Sequence, residues 1–213
     1  MENHSDNSLA SGEGSLDLPW CMSFLEKRGK DIFGEKFKIH EQDHDIISKL
    51  IVYFIGHELA AEELGLDLQK GILLTGPIGC GKTSLMTLMK FVPPPERNHI
   101  VKSCRDISFE FIQEGYEVIG RYSRMSYNGH GPKIYCFDDL GAEQTLKYYG
   151  NECNAMSEIL LSRYDLFISQ RMITHITTNL SAHELETLYG NRLRSRLREM
   201  FNLIAFNSPD KRK

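Results

Sequence analysis

The sequence predicts an α/β protein built on a doubly wound, mostly parallel sheet. Three observations predict it. Short apolar runs alternate with longer amphipathic stretches from residue 71 onward. The run Gly71-Ile-Leu-Leu-Thr75 passes through a glycine-rich octapeptide, Gly76-Pro-Ile-Gly-Cys-Gly-Lys-Thr83, directly into the helical stretch Ser84–Phe91. A third run, Ile134-Tyr-Cys-Phe137, is unbroken by polar residues and ends in Asp138-Asp139, as expected of a fully buried strand.

Taken in order, residues 1–17 are rich in Ser, Asn, Gly and acids and are expected to be disordered. Leu18–Phe37 reads as a short helix with a turn at Gly34. Gln42–Leu64 reads as one helix, with Ile46, Ile47, Leu50, Phe54 and Ile55 on one side and Gly65 as its cap. After the strand at 71–75 and its loop comes a helix halted by Pro93-Pro94-Pro95. His99–Lys102 is a second strand, Asp106–Tyr122 mostly helix, Ser126–Pro132 a loop and Ile134–Phe137 a strand. Asn154–Phe167 is helical and Ile173–Thr178 a strand. Ser181 and Glu184 form a capping box for the next helix, and Phe201–Phe206 is the last strand.

A chain of 213 residues can bury one ordinary core, and its 41% hydrophobic and 25% charged content is that of a soluble globular protein. Apolar stretches are broken by charge too early to span a membrane. Met1–Trp20 carries acids but no Lys or Arg, which excludes a signal peptide. Cys21, Cys80, Cys104, Cys136 and Cys153 form no C-x-x-C pair and read as reduced thiols of a cytoplasmic protein. No histidine motif suggests a metal centre. The net charge of −4 conceals a basic end, for Arg192–Lys213 holds seven Lys or Arg against Glu199 and Asp210.

The octapeptide is a complete G-x-x-x-x-G-K-[ST] phosphate-binding loop. Its glycines let the backbone curl and aim N–H groups at phosphate oxygens, and the following helix adds the positive end of its dipole. Gly76, Pro77, Ile78, Gly79, Cys80, Gly81, Lys82, Thr83 and Ser84 are therefore the candidate nucleotide contacts. Lys82 supplies a point charge for the β- and γ-phosphates. Thr83 and Asp138 are the candidate Mg²⁺ ligands, and Asp139 would orient or deprotonate an attacking water. Asn179, ending the 173–178 strand, is placed to reach the γ-phosphate. Asp138-x-x-Gly141 also fits a GTPase motif, but no Asn-Lys dipeptide exists to read guanine. Arg192, Arg194, Arg196 and Arg198 are spaced by two, so Arg192 and Arg196 share one helix face and Arg194 and Arg198 another. Phe109, Phe111, Tyr148 and Tyr149 are candidates for stacking on bases.

Gly76–Thr83, Asp138–Glu143, Arg163-Tyr164, Thr178–Ser181 and Tyr189-Gly-Asn-Arg192 with Arg196-Leu197 together resemble the AAA+ ATPases of the DnaC/DnaI helicase-loader and IstB transposition-helper group. The resemblance covers about residues 45–207. It implies a P-loop NTPase fold with an AAA+ core at 41–207, no full helical lid, a partner-docking extension at 18–40 and a basic tail at 208–213. It also implies ATP and Mg²⁺ as ligands, Asn179 as sensor 1, Arg196 as an arginine finger acting in trans within a homo-oligomer, and Arg212 as a stand-in for sensor 2. The implied partners are single-stranded DNA and a replicative helicase or a transposase. The sequence departs from the group at Asp139, where Glu is commoner, which suggests slow turnover or an ATP switch.

Overall fold

The computed structural model describes residues 16–129, 131–143, 146–148 and 151–211. The expectations for residues 1–15, Tyr149 and Arg212 lie outside them.

α1 (Leu18–Phe33) begins where the Asp17 carboxylate accepts the Trp20 N–H at 2.9 Å and ends at Gly34. It buries Cys21, Leu25 and Gly29, spaced one turn apart, and leaves Trp20, Ile32 and Phe33 exposed. The helix expected over Gln42–Leu64 is two helices, α2 (His44–Ile55) and α3 (Glu58–Glu63). Gly56 breaks them apart in a left-handed conformation (φ 82°, ψ 32°), and the His57 imidazole then caps the restart by accepting the Ala60 N–H. The good helix formers on either side of Gly56 hid the break.

β1 (Gly71–Thr75) leads through the glycine loop into α4 (Lys82–Leu88), which ends ahead of the three prolines. β2 (His99–Ser103) follows. The helix expected over Asp106–Tyr122 is divided at Gly115 into α5 (Cys104–Glu114) and α6 (Glu117–Tyr122). The expected loop at 126–132 contains a two-stranded pairing of β3 (Tyr127–Asn128) with β4 (Gly131–Pro132). β5 (Ile134–Leu140) runs three residues beyond its expected end, through both acids. A second antiparallel pair, β6 (Leu146–Tyr148) and β7 (Asn151–Cys153), had no counterpart in the sequence reading. α7 (Ala155–Gln170), β8 (Thr174–Thr178), α8 (Ala182–Met200) and β9 (Phe201–Ala205) complete the chain, and no helix follows β9 among the described residues. The Ser181–Glu184 capping box opens α8, and Gly190 (φ 80°, ψ 161°) breaks it midway.

The main sheet has the order β2-β5-β8-β1-β9 and is parallel throughout. Side chains alternate between its faces as strand geometry requires. Ile72, Leu74, Cys136 and Ile204 pack with residues of α1, α2 and α4, whereas Leu73, Tyr135, Phe137 and Ile176 pack with α5 through α8. No helix among the described residues is long and apolar enough to cross a membrane.

Candidate nucleotide-binding site

The glycine loop sits at the carboxyl edge of the central strands, where ligands of open α/β sheets bind. Gly76 N–H donates to Thr178 O at 3.2 Å, which fixes the loop's first residue to β8. The Lys82 side chain is 5% exposed, and its ammonium donates to Gly76 O at 2.8 Å and Pro77 O at 2.9 Å. It is therefore held inside the loop's own curl. Cys80 is fully buried in the apolar cluster beneath α2 and α4, so it is a packing residue rather than a contact.

The two acids differ because of a defect in the ladder. Phe137 pairs with Ile176 but Leu140 pairs with Thr178, so β5 carries one residue more than β8 over this stretch. That is a β-bulge, and it re-aims side chains at an edge. Asp139 is the left-handed residue (φ 56°) and is exposed. Leu140 thereby returns to the same core as Tyr135 and Phe137. Thr177 plugs the bulge. Its hydroxyl accepts the Asp139 N–H at 2.9 Å and donates to the Asp138 carboxylate at 2.6 Å. The Thr83 hydroxyl donates to the same carboxylate at 3.0 Å.

Asp138 is 8% exposed, and burial pushes its pKa up; the neighbouring Asp139 charge adds to this, while the Thr177 and Thr83 hydroxyls and Lys82 oppose it. A buried carboxylate with a hydroxyl beside it, short of positive charge, suits a hard divalent cation. Thr83 and Asp138 thus fit the magnesium role on their own chemistry.

Above these residues opens a cavity of about 660 Å³, lined at one end by Gly79, Lys82, Thr83, Ser84, Asp139 and Asn179. Its other end was missed by sequence reasoning. Phe37, Ile39, Asp43 and Ile47 line it, together with Lys211 from the far end of the chain. Only their apolar spacing was visible in sequence, with nothing to say which cavity they faced.

The segment after β9 runs back over the loop. Phe206 N–H donates to Thr75 O at 2.7 Å, and Lys211 N–H to Gly79 O at 3.1 Å. The Gln42 amide donates to Ser208 Oγ at 3.0 Å. Lys211 Nζ pairs with the Asp43 carboxylate, which is 1% exposed. The Asp210 carboxylate lies against Gly79, whose left-handed backbone (φ 80°) favours glycine.

Arg196 does not line the cavity. It lies on the outer face of α8 beside Arg192, with its guanidinium 4.6 Å above the Tyr164 ring. Arg194 is tied to Glu186 instead. Arg163, adjacent to Tyr164, is fully buried and bonds Thr174 Oγ1, Tyr122 O and Ile173 O, so its place is in the scaffold. Of the stacking candidates, Phe111 is buried in the core and Phe109 is half exposed under Arg105.

No family model matches the chain, and no curated protein matches it in sequence. Solved structures do match in shape. A candidate primosome component from Streptococcus pyogenes serotype M3 aligns at TM-score 0.55 and 19% identity, over 81% of this chain and 84% of that one. The DnaC helicase loader aligns at 0.54 and 18%, over 85% and 99%, and DnaI at 0.54 and 17%, over 80% and 88%. AMPPCP-bound DnaA from Aquifex aeolicus aligns at 0.51 and 16%, over 81% of this chain but 48% of its own. With a parallel sheet of this order and a glycine-rich loop between β1 and α4, the chain has the fold of the DnaC and DnaI structures.

Proposed function

We propose that this protein is a cytoplasmic ATPase that loads or remodels a replicative helicase on single-stranded DNA, acting as a homo-oligomer. The observation that carries the reading is the Lys82, Thr83–Asp138 and Asp139/Asn179 constellation around one cavity, within the fold of a helicase loader. The backbone N–H groups of Ile78–Ser84 hold the ATP phosphates, since Pro77 has none and Gly76 gives its own to Thr178 O. Lys82 exchanges its two carbonyl partners for phosphate oxygens, which its flexible stem permits. Mg²⁺ held by Thr83 and Asp138 would supply charge neutralisation at the β- and γ-oxygens. Asp139, exposed at the cavity wall, accepts a proton from the attacking water, and Asn179 orients that water and the γ-phosphate. Arg196, standing off its own cavity, serves the neighbouring subunit's phosphates.

Asp139 in place of Glu has one methylene less of reach toward the attacking water, from a left-handed backbone position (φ 56°). This favours slow hydrolysis as a second reading, a switch that holds ATP until a partner arrives. ATP turnover measured against protein concentration, with and without single-stranded DNA, tests both. Specific activity rising with concentration and with DNA supports the loader; binding without turnover supports the switch. Co-purification with a transposase instead of a helicase would assign the same machine to a mobile element. Lys82→Ala is expected to abolish ATP binding, and retained affinity would remove the phosphate-loop assignment. Arg196→Ala is expected to bind ATP normally and lose about 10³-fold or more in turnover.

A further inference from the structure

The outer face of α8 singles out one arginine by an unusual combination. Arg196 is stacked on Tyr164 of α7, yet its guanidinium makes no hydrogen bond or ion pair among the described residues. Arg194, two residues earlier, spends its donors on Glu186. Glu199, one turn beyond Arg196 on the same helix, would be its natural i,i+3 partner. That carboxylate is occupied instead by the Tyr164 hydroxyl, which donates to Glu199 Oε2 at 2.8 Å and whose own pKa the carboxylate raises. The ring is thus held by two residues of one α8 face, and the five guanidinium N–H donors remain unspent among the described residues.

We propose that Tyr164 is a positioning residue for the arginine finger, a shelf that orders Arg196 before it meets a neighbouring subunit's phosphates. This rests on the reading of Arg196 as acting in trans. A free arginine side chain has rotamer entropy to lose on docking. A ring contact holds the guanidinium without consuming a donor, which a salt bridge to Glu199 would not do. Glu199 acts one step further out, keeping the ring in place and itself away from the finger. Asn191, Arg192 and Ser195 complete the surrounding surface, which is open to an incoming subunit.

The test separates the shelf from the finger by asking which subunit carries the defect. Tyr164→Leu is expected to lower ATPase kcat about tenfold to a hundredfold with KM for ATP unchanged, because the ATP site of the same subunit is intact. Tyr164→Phe, which keeps the ring but frees Glu199 to pair with Arg196, is expected to recover part of that rate, and Tyr164→Phe combined with Glu199→Gln most of it. Mixing then locates the fault. Lys82→Ala subunits mixed with Tyr164→Leu subunits are expected to regain activity, since the former donate an ordered finger. Subunits carrying both Lys82→Ala and Tyr164→Leu, mixed with Arg196→Ala subunits, are expected to stay at the low rate. Regained activity in that second mixture, or a wild-type kcat for Tyr164→Leu alongside an inactive Arg196→Ala, overturns the shelf alone. Wild-type turnover by Arg196→Ala removes the finger reading, and the shelf with it. A fall in kcat matched by an equal loss of folded protein on thermal melting assigns Tyr164 to packing and also overturns the proposal.

Discussion

At the scale of single residues, Asp138 is the most informative group. Its raised pKa means that the fold favours the protonated form, so holding the carboxylate ionised in the cation-free protein is a cost at neutral pH. The sign is that of a group whose stabilising contribution is complete at low pH and lost as pH rises. Asp138→Asn is therefore expected to raise the melting temperature of the magnesium-free protein at neutral pH and to abolish magnesium-dependent nucleotide binding. A melting temperature that falls would show that the Thr83 and Thr177 bonds outweigh burial. The pair of acids was legible in sequence because an apolar run ending in carboxylates has few other uses. Their roles were assigned from that order, but the bulge that sets Asp138 inside and Asp139 outside was not legible. A bulge leaves no trace in a period-two pattern when the residue after it, Leu140, is as apolar as the one before it. Thr177 was likewise visible only as a β-branched strand residue, and its role appears once β5 and β8 are laid side by side.

Between elements, α2, β2 and β8 meet at a buried aromatic cluster. His99 and His175 lie 5.2 Å apart, ring to ring, with Phe54 against both and Tyr53 against His175. His175 Nδ1 accepts the Ile72 N–H at 3.0 Å, so it also bridges to β1. Burial lowers both pKa values, that of His99 to about 4. Both rings are thus neutral when folded, while the unfolded chain takes up their protons below about pH 6.5. Stability is expected to be level above that value and to fall as pH drops toward 4, by on the order of 3 kcal/mol from His99 alone. Urea midpoints compared between about pH 7.5 and pH 5 check this, and His99→Gln is expected to lessen the loss on acidification. Neither histidine has a sequence signal, since a lone histidine in an apolar strand looks the same whether it is structural or reactive. Helix existence was legible from periodicity throughout, but the breaks at Gly56 and Gly115 were not, because the helix-forming residues on either side outweighed a single glycine.

Across the whole molecule, residues 37–47 and Lys211, far apart in sequence, meet at the candidate nucleotide cavity. Lys211 is the partner of a carboxylate that burial would otherwise leave isolated. Lys211→Met is expected to destabilise the protein by about 1–3 kcal/mol, and Asp43→Asn in that background to restore most of the loss, measured as denaturant midpoints. An equal loss in both variants would assign the effect to the Lys211 ammonium held 4.7 Å over the Phe206 ring. The architecture was legible from the alternation of strands and helices, and the cavity's phosphate end from one octapeptide; its other end depends on a long-range return of the chain that no local pattern encodes. That return also orders events during synthesis. β1 is flanked by β8 and β9, so the strand that opens the sheet acquires both neighbours only when residues 174–205 have been made. The nascent chain must carry Gly71–Thr75 and its loop without their native neighbours while roughly the next hundred residues emerge, an interval in which that edge is exposed to non-native pairing.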